Sequence, residues 1–80
     1  MAWRILSREG EVWHVHPAAE RRANQATWQL MLSFRNSAQG PRRSFWASFP
    51  LESSSKSSLF LQAERIPDEA LQELLSQHLS

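Results

Sequence analysis

Residues 27–35, TWQLMLSFR, alternate without a break: Trp28, Leu30, Leu32 and Phe34 fall on one side, and Thr27, Gln29, Met31, Ser33 and Arg35 on the other. A period of two is the mark of a strand with one buried face. Residues 43–51, RSFWASFPL, repeat the pattern, with Phe45, Ala47, Phe49 and Leu51 on one face and Ser44, Trp46, Ser48 and Pro50 on the other. Pro50 has no N–H for a ladder, so it ends the pairing or marks an edge. The intervening NSAQGP, residues 36–41, is made of turn formers, which predicts a hairpin.

An earlier hairpin is predicted from AWRILS, residues 2–7, with Trp3 and Ile5 on one side, and EVWHVHP, residues 11–17, with Trp13 and Val15 on one side. Glu9-Gly10 between them is a turn signal, because glycine takes the positive φ of a tight hairpin. Residues 18–25, AAERRANQ, read as a polar loop with at most a short helical turn.

After residue 51 the period changes. The serine-rich stretch Ser53–Ser58 reads as a loop placed to cap a helix. SLFLQAERI, residues 58–66, fits helix or strand by length, and the stripe Leu59, Phe60, Ala63, Ile66 favours helix. Pro67, Asp68 and Glu69 suit the start of a further helix, and Leu71, Leu74, Leu75, His78 and Leu79 recur at its spacing. The expected fold is therefore α+β: a four-stranded antiparallel meander with one or two C-terminal helices packed on one face, all within one domain over residues 1–80. The open face is expected to carry Arg4, His14, His16, Gln29, Met31, Ser33, Arg35 and Trp46.

Composition narrows the function. Eighty residues support one small core, with only about 60% of the extended-chain surface buried, so covering by a partner would add stability. The chain has no cysteine, which removes disulfides and thiolate metal sites. No stretch approaches the roughly 20 apolar residues of a membrane span and none of the opening residues resembles a signal peptide, so a soluble, cytoplasmic protein is expected. The net charge is +1, unevenly spread. Residues 21–56 hold Arg21, Arg22, Arg35, Arg42, Arg43 and Lys56 against Glu52, whereas Glu64, Asp68, Glu69 and Glu73 stand against Arg65 near the end. Mutual attraction of the basic middle and acidic end, within one chain or between two, is expected.

The chemistry is sparse. His14 and His16 share a strand face, the geometry of a metal pair, but no third ligand has the right spacing, so both are read as solvated polar residues. There is no nucleophile elbow, no glycine-rich phosphate loop and no facing carboxylate pair, so neither catalysis nor a cofactor is expected. The candidate binding surface is Arg35, Arg42, Arg43, Trp46, Met31 and His14. Trp, Met and Arg are enriched at protein interfaces, which favours a protein-interaction or self-associating module, as a homodimer or with another protein. The alternative is single-stranded nucleic acid, with arginines along the backbone and Trp46 stacking on a base. In its order of four strands and then helix, the chain resembles the small Whirly-like single-strand binders, a likeness of topology alone that transfers no residue.

Overall fold

In a computed structural model of the chain, which describes residues 3–36 and 43–79, the architecture is α+β. Four strands, β1 (Arg4–Arg8), β2 (Glu11–Glu20), β3 (Trp28–Asn36) and β4 (Ser44–Ser53), form an antiparallel sheet in the order β1-β2-β3-β4. Two helices, α1 (Lys56–Ala63) and α2 (Asp68–Leu79), pack on one face. Residue 2 of the expected first strand and residues 37–41 of the expected turn lie outside the described residues.

The β1–β2 turn sets the phase of the sheet. Glu9 and Gly10 both have positive φ, 51° and 79°, as a two-residue hairpin turn matching the natural strand twist requires. Arg8 is thereby paired with Glu11, Leu6 with Trp13, Ile5 with His14 and Arg4 with Val15. Leu6 and Trp13 thus face the helices and are buried, while Ile5 is turned to the open face and is 60% exposed. This corrects one expectation: Arg4 does not belong to the open face, and Ile5 stands there instead. The pair Ile5-Leu6 satisfies either phase of the alternation, and the turn decides between them.

Placed on the helix side, Arg4 joins sheet to helices. Its guanidinium donates to the backbone carbonyls of Ile66 at 2.8 Å and Glu64 at 2.9 Å, and to Asp68 Oδ1 at 2.7 Å. Glu64 is the C-cap of α1 and Asp68 opens α2. One cation therefore meets the C-cap carbonyl that α1 leaves unpaired, a carbonyl of the connection, and the acidic start of the next helix. At the other end of β1, Gln72 Nε2 donates to the Ser7 carbonyl at 3.0 Å and Arg8 Nε to Ser76 Oγ at 3.3 Å. The acidic end of the chain thus reaches the N-terminal strand, through Asp68 and Arg4.

The core lies between sheet and helices: Leu6, Trp13, Val15, Leu30, Leu32, Phe34 and Ala47 from the strands, Leu59, Ala63, Leu71 and Leu75 from the helices, and Ile66 from their connection. Residues 58–66 are helical as far as Ala63. Ser55 caps α1, its side chain accepting from the Ser58 N–H at 3.2 Å. Pro67 stands just before α2, its carbonyl accepting from Ala70 and Leu71.

Two departures from simple alternation have local causes. β2 runs through Pro17 to Glu20, where a loop was expected after Pro17. The Asn36 N–H is spent on the Arg43 carbonyl, so by alternation Arg35 bonds His14 and the N of Pro17 points away from β3. That side lies beyond the last β1 pair, Arg4 with Val15, and none of the ladder bonds among the described residues is lost there. The second departure is a register shift between β3 and β4. Met31 pairs with Ser48 and Gln29 with Glu52, so between these pairs one residue of β3, Leu30, stands against three of β4, residues 49–51. The Gln29 side-chain amide fills the gap, donating to the Phe49 carbonyl and, at 3.4 Å, to that of Leu51.

Two outcomes follow for stability. No atom lies within 4 Å of a Cβ added at Gly10, so Gly10→Ala costs about 1 kcal/mol through the positive φ alone, read as a lower urea midpoint at unchanged slope. Arg4→Met, which keeps the stem and removes the fork, costs about 1–3 kcal/mol, while Asp68→Asn, at an exposed carboxylate, costs under about 1 kcal/mol in the same titration.

Candidate functional site

The face of the sheet turned away from the helices carries, strand by strand, Ile5 and Ser7; Val12, His14, His16, Ala18 and Glu20; Gln29, Met31, Ser33 and Arg35; and Ser44, Trp46, Ser48 and Glu52. The pairing register arranges them in rows. One row runs Ile5, His14, Arg35, Ser44, the next His16, Ser33, Trp46, and the third Ala18, Met31, Ser48.

Trp46 is the largest exposed group here, at 59%, and it sits on the outermost strand. Its cross-strand neighbour Ser33 is nevertheless buried, and Met31, His14 and His16 are half-buried although no helix covers them. Ile5 at 60% and Val12 at 37% add apolar area on the β1–β2 side of the same face. The result is a mixed apolar and imidazole surface with one indole raised at its edge.

Of the six residues expected to form the binding surface, Arg35, Trp46, Met31 and His14 are brought together on this face. Arg35 and Trp46 are diagonal neighbours on adjacent strands. Arg43 is not with them. It lies on the helix side, its Nη2 donating to Glu11 Oε2 at 2.7 Å and its guanidinium centred 5.4 Å from the Trp13 ring. Glu11 also accepts from the Asn36 amide at 2.6 Å, so one carboxylate closes the edge of the core over two strands. Arg42 lies outside the described residues. Of the other cations of the basic middle, Arg21 and Lys56 sit against the Trp28 ring at 5.0 and 4.5 Å, on the core side, and Arg22 lines the concavity at the end of the open face.

The end of the open face is acidic rather than basic. Glu20 and Glu52 flank Gln29 across the sheet, and with Arg22, Gln25, Met31 and Ser48 they line an open concavity of about 420 Å³. The Gln29 amide there is committed to backbone carbonyls of β4. His14 and His16 stand two residues apart on β2, and among the described residues no group of three or more His, Asp or Glu side chains is placed to hold a metal ion. Among the described residues no helix is long and apolar enough to cross a membrane.

The sequence reading did not single out Ile5, Val12 and the concavity. Val12 was detectable, since it falls on the opposite side of its strand from Trp13 and Val15. Glu20 and Glu52 flank Gln29 only because β2 continues past Pro17 and β4 gains two residues.

Trp46 is the most exposed of the four tryptophans, with Trp13 fully buried and Trp3 and Trp28 partly so. Trp46→Phe should therefore remove most of the acrylamide-quenchable emission and leave a blue-shifted spectrum; unchanged quenching would place the indole elsewhere. Set against protein-family models, curated proteins and solved structures, the chain shows no significant match.

Proposed function

We propose that this chain is a non-catalytic protein-interaction module whose partner covers Trp46 and the open face beside it. The observation that carries the reading is the 59% exposure of Trp46 on an uncovered sheet face, diagonal to half-buried Met31 and sharing that face with exposed Ile5 and Val12 on its β1–β2 side. An indole left in water forgoes a large burial term, and aromatic anchors of this kind contribute most of the free energy at protein interfaces.

Charge supports protein over nucleic acid. Among the described strand residues of this face, Arg35 stands against Glu20 and Glu52, and Arg43 is tied to Glu11 on the other side. Phosphate neutralisation supplies most of the affinity of unspecific nucleic-acid binders, and a face of this balance offers little of it. The cytoplasm is the proposed location, and a protein or second copy the proposed partner.

A photo-crosslinking side chain introduced at Trp46 should give defined protein adducts in the source cell, while the same group at Glu73, exposed on α2, gives none. Equal labelling at both positions, or none at either, overturns the reading. Binding of a single-stranded oligonucleotide at low salt that Arg35→Ala and Trp46→Ala both weaken would establish the nucleic-acid alternative instead.

A further inference from the structure

The sheet has two edges of different kinds. β1 is five residues long and bounded by Arg4 and Arg8, a short, charged edge of the sort that resists pairing. β4 is ten residues long, last in the sheet, and uncharged from Ser44 to Leu51.

The ladder fixes which backbone groups that edge offers. The Asn36 N–H donates to the Arg43 carbonyl at 2.9 Å, and Phe34 pairs with Phe45 and Leu32 with Ala47. Hydrogen-bonded pairs alternate along an antiparallel ladder, so Arg43, Phe45 and Ala47 turn their N–H and C=O groups to β3. Ser44, Trp46 and Ser48 turn theirs off the edge.

We propose that two copies of this chain pair antiparallel through β4, with Trp46 on the two-fold axis, forming a continuous eight-stranded sheet. This rests on the reading of the Trp46 surface as a protein interface and names its occupant. A two-fold axis normal to the sheet keeps each side chain on its own face, so a residue must lie opposite its own copy. The outward phase admits centres from residue 44 to residue 48, with a bonded pair on the axis for an even centre and a non-bonded pair for an odd one. Centring on Phe45 or Ala47 sets Trp46 against Ser44 or Ser48 of the second copy instead of against the other indole, and the Ala47 centre also sets Ser44 against Pro50. Centring on Ser48 sets Trp46 against Pro50, which has no N–H to give. Centring on Ser44 sets Trp46 against Arg42 and withdraws the uncharged run from itself. Centring on Trp46 pairs Ser44 with Ser48 of the second copy at both ends and leaves Pro50 just past the last bonded pair. It also puts the two exposed indoles side by side on the open face, where each covers the other.

The chain has no cysteine, so single ones report the register. Ser44→Cys and Ser48→Cys are prepared separately, checked for folding by circular dichroism, then mixed and mildly oxidised. Opposed residues of a bonded pair have Cα atoms about 5.5 Å apart, within disulfide reach, whereas each position lies about 14 Å along the strand from its own copy. The expected result is a disulfide dimer in the mixture and none in either variant alone. Sedimentation of the native chain should give twice the 9.3 kDa mass, and Trp46→Glu should weaken association at least tenfold.

Self-linking of Ser48→Cys overturns the centre at Trp46. A native dimer with no link in the mixture likewise overturns the register centred on Trp46. A 9.3 kDa monomer at millimolar concentration overturns the second copy as occupant, and defined adducts of another protein at position 46 would then show that the interaction reading itself survives.

Discussion

Every assignment of face in this protein depends on a turn of two residues. With Glu9 and Gly10 both in the left-handed region, Arg8 can only face Glu11, and from that pair the inward and outward sides of β1 follow. Leu6 goes to the core and Ile5 to water. Arg4, which would otherwise be a solvated cation, comes to lie beneath the connection between the helices. The same phase brings Trp13 inward beside Leu6, and from there the ladder carries it to Phe34 and Phe45. A single step of slippage would exchange the two faces of β1.

The helix layer is held at points where polar groups would otherwise lack partners. Arg4 serves two carbonyls and a carboxylate around the α1–α2 connection, Ser55 serves the first turn of α1, and Glu11 gathers Asn36 and Arg43 at the rim. Aromatic packing continues from there, with Phe45 stacked between Phe34 at 4.9 Å and His78 at 4.7 Å. The Trp13 Nε1–H is buried among these groups and has no acceptor among the described residues. The core accepts that cost where a ring of this size fills space between β2 and the helices.

The alternation in residues 27–35 and 43–51 made β3 and β4 legible in the sequence, and with them the orientation of Trp46, Met31 and Arg35. The helix period from Asp68 onward was equally clear. What escaped was whatever depends on a neighbour rather than on a period. Ile5 and Leu6 are adjacent apolar residues, and no local pattern ranks them. Pro17 looks like a stop because its missing N–H normally breaks a ladder, but that ladder ends before it. Arg43 counts as part of a basic patch in a list of charges, yet it shares the parity of Phe45, and that parity sends it to Glu11.

The irregularity between β3 and β4 adds two residues, and the number matters more than the break. A single extra residue would have inverted every side chain after it, putting Leu51 in water. Two extra residues restore the original parity, so Trp28 and Ser53 meet again as partners beyond the gap. The strand is in this sense quantised. Chain length here can change in pairs without disturbing either face, and the Gln29 amide supplies the backbone partners that the added peptide units would otherwise lack.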